Sequence, residues 1–134
     1  MKSTWVSAIV LALVAFLFVG CSKDDNSPSG GSIDAAVGTF QGSLEVTGQD
    51  ARFNQTIVVT KVSNERIRVK VGDASLNLPD REFNVTNNAN IAIQSASIST
   101  GGDFIYDVRE QSVIYQSAPM AEGEVLFTFK GNKQ

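Results

Sequence analysis

The 134-residue chain has 11 Lys and Arg against 14 Asp and Glu, a net charge of −3, no histidine and one cysteine. Without histidine, serine-histidine and cysteine-histidine catalysis are excluded, and the commonest general base and metal ligand is missing. The acidic balance, with no basic stripe, argues against nucleic acid as a partner. A disulfide within the chain is excluded because Cys21 has no second cysteine to meet.

The chain opens with Lys2, an apolar run over 5–19 interrupted only by Ser7, and then Gly20-Cys21. A positive end, a short apolar stretch and a small residue are the parts of a secretory signal. The competing reading, a membrane-spanning helix, asks for about 20 apolar residues, more than this run supplies. The expectation is therefore a signal peptide over 1–20. Val19-Gly20-Cys21, with Phe18 where leucine is usual, resembles the lipobox of bacterial lipoproteins. That resemblance implies cleavage before Cys21, acylation of its thiol and acylation of the new amine. Two or more acyl chains give stable anchoring where one gives marginal binding. The next four residues, Ser22, Lys23, Asp24 and Asp25, resemble the acidic export signal of Bacteroidota lipoproteins. This implies the outer membrane and its outer face; the periplasmic face is the alternative.

Residues 21–36 read as the lipidated cysteine and its tether. The Ser-Pro-Ser-Gly-Gly-Ser stretch at 27–32 lacks apolar side chains and should be flexible. Asp34-Ala35-Ala36 is compatible with one short helical turn.

From residue 37 to 134 the pattern has a period of two, the mark of half-buried strands. In the first, Phe40, Gly42, Leu44 and Val46 share one face, and mid-strand Gly42 signals a bend or a close backbone approach. Gly48-Gln49-Asp50 is a turn. The second strand, about 51–62, turns Phe53, Ile57 and Val59 inward. The third, 65–71, sets Ile67, Val69 and Val71 against Arg66, Arg68 and Lys70, a cation stripe that reads as a solvated face paired with acids across the sheet. Leu76 and Leu78 form a short strand stopped at Pro79-Asp80. Phe83 and Val85, then Ile91 and Ile93, then Phe104, Tyr106 and Val108, then Val113 and Tyr115 continue the alternation. A loop over 117–123 precedes the last strand, 124–130, with Val125, Phe127 and Phe129 inward, and 131–134 should fray.

About eight short strands joined by tight turns, with no convincing helix after the signal, predict an all-β antiparallel meander. Closure into a barrel is favoured because an open sheet leaves two adhesive edges, with a sandwich as the alternative. Val37-Gly38-Thr39-Phe40-Gln41-Gly42 and the Val-Thr-Lys-Val at 59–62 resemble the opening of the small lipocalin-like lipoproteins of Bacteroidota. The resemblance implies a small β-barrel after the lipoprotein signal. It departs from secreted lipocalins in lacking their Gly-x-Trp motif, since Trp5 falls in the signal.

The carboxylate pairs Glu122/Glu124 and Asp103/Asp107 read as solvated loop acids, and no cofactor or metal is expected. The reading is therefore a non-enzymatic lipoprotein that binds a small apolar ligand or an envelope protein. The alternatives are an accessory subunit with a solid core, or an inhibitor module acting through its loops. Tyr106 and Tyr115 are the candidate ligand contacts, because a buried hydroxyl needs a partner that a ligand can supply.

Overall fold

The computed structural model describes residues 31–96 and 99–134. The signal segment, Cys21 and the Ser22, Lys23, Asp24, Asp25 sequence lie outside the described residues. Eight strands form a closed antiparallel barrel in chain order. They are β1 (Gly38–Val46), β2 (Arg52–Ser63), β3 (Arg66–Val71), β4 (Arg81–Asn88), β5 (Ala92–Ser95), β6 (Gly102–Asp107), β7 (Ser112–Ser117) and β8 (Phe127–Lys133). The expected all-β meander and its closure are both present.

Closure is made by β1 and β8, which pair over a continuous register from Phe40↔Lys133 to Val46↔Phe127. At the middle of this seam Gly42 faces Gly131. A Cβ on Gly42 would stand 2.0 Å from the Lys130 carbonyl oxygen, and one on Gly131 would stand 2.4 Å from the Gln41 carbonyl oxygen. The two backbones approach too closely for any side chain, which is why mid-strand glycine is tolerated here.

β3 shows why the strands form as they do. Its burial alternates without exception, with Ile67, Val69 and Val71 inside and Arg66, Arg68 and Lys70 outside. Arg68 pairs across the sheet with Glu82, as expected of a solvated charged face.

The interior is filled by side chains from all eight strands. Phe40, Phe104, Tyr115 and Phe129 are wholly buried, and Tyr106 is nearly so. Phe40 meets Tyr106 edge-on at 5.7 Å between ring centres, and Phe83 stacks on Tyr115 at 5.5 Å. An eight-stranded barrel is just wide enough for its own side chains to fill.

Five expectations need correction. Ile91 lies in the turn before β5 and is 67% exposed, so only Ile93 of that pair turns inward. Phe53 points outward and is 74% exposed. The β1–β2 register slips between Gly42↔Gln55 and Leu44↔Arg52, which places one extra residue in β2, and Asn54 takes a left-handed φ of 55°. Such a bulge reverses which side the residues beyond it face. Leu76 and Leu78 do not form a strand. A 3-10 turn, Ala74–Leu76, occupies the place, capped by Asp73 through the Ser75 amide, a local bond that competes with ladder pairing. Val125 is exposed, and β8 begins at Phe127. The end of the chain does not fray. Lys133 donates its amide to Gln111, Gln134 donates its amide to Thr39, and the Lys133 ammonium reaches the Ala35 carbonyl at 2.8 Å.

Gly42→Ala should lower stability by about 1–3 kcal/mol, because the added methyl forces a strand shift at the seam. Urea unfolding should show this as a lower midpoint with little change in slope.

Candidate functional site

The two ends of the barrel differ. At one end the chain enters through the 3-10 turn Asp34–Ala36, and Ile33 and Ala36 are buried against the core. Polar contacts fix this plug to the barrel wall. Asp34 accepts from Lys61 at 2.7 Å, and Asn87 donates to the Ser32 carbonyl at 2.7 Å and to Asn90 Oδ1 at 2.9 Å. The Lys61 hydrogen bond holds the Asp34 carboxyl below its ordinary range. A cleft of about 950 Å³ runs beside the plug between the β2–β3 and β4–β5 hairpins, lined by Ser32, Asp34, Lys61, Glu65, Asn87 and Gln94 among others. Its lining mixes these polar groups with apolar ones such as Ile33 and Val85, and it is half open to water.

The other end carries the longer connections 72–80 and 118–126, residues 99–101 before β6, and the 47–51 hairpin. Beneath them lies a floor of four rings. Tyr115 stacks on Phe83, meets Phe127 edge-on at 5.5 Å, and tilts against Phe104 at 6.4 Å. Above this floor, in the inward register of β4, sits Arg81, only 7% exposed. Its Nη2 pairs with Oε1 of Glu124, a residue of the 118–126 loop. Oε2 of the same carboxylate accepts the Met120 amide at 2.7 Å. Glu124 therefore ties its own loop together and fastens it to the barrel. These bonds, Arg81 first, hold its carboxyl below the ordinary 4.5. Arg81 Nε is buried with no acceptor among the described residues.

The two tyrosines named from the sequence lie inside the barrel, toward opposite ends. Tyr115 donates its hydroxyl to the Gly101 carbonyl at 2.7 Å, so the partner that a ligand was expected to supply comes from the chain itself. Burial pushes its ionisation well up. Tyr106 is 2% exposed, lies toward the plugged end, and makes no hydroxyl hydrogen bond to any described residue. Burial, then the Asp107 carboxylate, raises its pKa.

Arg81 was not singled out in the sequence, and Glu124 was weighed only as half of the Glu122/Glu124 pair and read as a solvated loop acid; its ion pair with Arg81, with the Glu124 side chain 17% exposed, corrects that reading. The signal for Arg81 was its register, since Arg81, Phe83, Val85 and Asn87 all turn inward and two of those four are polar. Glu124 has no comparable signal, because it lies in a loop without period.

Among the described residues no group of His, Cys, Asp and Glu is set to hold a metal, and no helix is long and apolar enough to cross a membrane. No protein-family model, curated protein or solved structure matches this chain.

Two outcomes follow from this geometry. Tyr115→Phe should cost about 1–3 kcal/mol in thermal or urea unfolding, because the Gly101 carbonyl loses its buried donor. The stability contributed by the lowered carboxyl of Glu124 is present above its unfolded-state pKa and is lost as pH falls through its lower folded value. Glu124→Gln should therefore flatten the acid side of the stability–pH curve while lowering stability at neutral pH.

Proposed function

We propose that the chain is a lipid-anchored, non-enzymatic lipoprotein of the outer membrane, held by acylated Cys21 and displayed on the cell surface, whose barrel binds a partner protein. The observation that carries the partner reading is the filled interior. Seven aromatic rings, Phe40, Phe83, Phe104, Tyr106, Tyr115, Phe127 and Phe129, pack inside the barrel. A small apolar ligand needs a pocket of about 300 Å³ or more, and two clefts of that size, about 950 and 440 Å³, border the rims of the barrel. Recognition is then left to the outer surface and loops.

The position of the plug supports a defined orientation. The described chain begins at the plugged end, ten residues after Cys21, and ten residues span at most about 35 Å. An anchor at Cys21 keeps the plugged end near the bilayer and turns the loop-bearing end outward.

Native mass spectrometry of the protein purified from its own envelope tests both parts. The expected result is a chain beginning at Cys21 with acyl mass attached and no noncovalent small-molecule guest. A bare thiol with residues 1–20 still present contradicts the anchor, and a stoichiometric apolar guest contradicts the partner reading. Cys21→Ser should move the protein from the membrane to the soluble fraction.

A further inference from the structure

We propose that Arg81 is a binding site for a carboxylate side chain of a partner protein, occupied in the resting chain by Glu124. The proposal rests on the partner-binding reading and assigns its point of recognition.

Three observations lead to it. Arg81 is a buried guanidinium with an unmet need, because its Nη2 has the Glu124 carboxylate while its Nε has no acceptor among the described residues. A guanidinium presents a planar fork that suits a bidentate carboxylate. Glu124 uses one oxygen on Arg81 and the other on the Met120 amide. In this arrangement only one of its oxygens meets the fork, while the other is held by its own loop.

The loop that brings Glu124 is held mainly by polar contacts. Residues 118–126 include no strand, and Met120 and Val125 remain 59% and 47% exposed. Little apolar burial therefore opposes the release of this loop. What opposes it is the charge left behind, since removing one partner of a buried ion pair strands the other in a poor medium. Only an arriving anion replaces what Glu124 withdraws. Release also frees Met120 and Val125 to meet apolar neighbours of the incoming acid. A buried Arg next to a cluster of aromatic residues is the composition of a binding hot spot. The occupant that fits is an acidic side chain between apolar residues.

A titration followed by amide NMR on the full chain in neutral detergent decides the matter. The probe is a blocked tripeptide with glutamate between two leucines, and the control carries glutamine instead. The glutamate peptide should shift the Gly123, Glu124 and Leu126 amides and leave Ala36 at the plug unmoved, while the control should have no effect. Glu124→Gln removes the resident charge and should lower the half-saturating concentration at least tenfold. The double variant Arg81→Leu with Glu124→Leu exchanges the pair for apolar groups, a change that buried ion pairs often tolerate. With its Ala36 and Gln134 signals intact, it should not respond. Equal response to both peptides, equal affinity of wild type and Glu124→Gln, or a response that survives in the double variant overturns the assignment. A failed titration with a guest-free mass spectrum removes only the Arg81 site. A bound guest with a positive titration removes the general reading and leaves the site.

Discussion

The seam between β1 and β8 is the constraint on which the rest of the molecule depends. Without it the sheet has two edges, and each would present unpaired backbone groups to other chains. The seam needs two strands far apart in sequence to lie closely side by side. Gly42 opposite Gly131 removes the side chains that would hold them apart. Once the seam closes, the inward residues of all eight strands have one interior to share, and its volume is filled by rings and branched aliphatics. The seam also explains the ordered end of the chain. Gln134 donates its amide to Thr39, and Lys133 reaches across to the plug, so the last residues serve as the clasp between the barrel wall and its capped end.

Filling the interior changes where chemistry can occur. Polar groups that turn inward must find partners within the chain, and most do. Tyr115 finds the Gly101 carbonyl, Ser117 Oγ accepts the Phe127 amide, and Asn87 reaches Ser32. Among the described residues Arg81 is the charged exception. It has an ion-pair partner on Nη2 and none for Nε among the described residues, and that partner arrives on a loop whose Met120 and Val125 stay exposed. The barrel is thus closed firmly at the end where the chain enters and by a charge at the other. The proposed anchor before the plug and the proposed recognition site beyond the rings then fit one molecular polarity.

Much of this fold was legible in the sequence because eight strands closing on one interior impose period two nearly everywhere. β3 could be read residue by residue, since its inward positions are all aliphatic and its outward positions all cationic. Gly42 announced a close approach, and the pairing of first and last strands followed from the need to remove edges. Three of the failures share a cause: each was settled by particular bonds or a backbone angle rather than by pattern. The left-handed Asn54 turned Phe53 outward. The Asp73 side chain captured the Ser75 amide and drew Leu76 into a 3-10 turn. The clasp at Lys133 and Gln134 depends on carbonyls at Ala35 and Thr39, close to a hundred residues away. The candidate site was less legible than the fold. Tyr106 and Tyr115 were found by their chemistry, but their surroundings follow from three-dimensional packing, and the meeting of Arg81 with Glu124 joins a strand to a loop that has no period to read.

Hydrogen exchange along the seam tests the central claim most directly. In a closed, solid barrel the paired amides of β1 and β8 exchange as slowly as those of the interior pair β6 and β7, because none of them belongs to an edge. If the β1 and β8 amides exchange like those of exposed edge strands while β6 and β7 stay protected, the sheet is open and the account of a filled, closed interior fails.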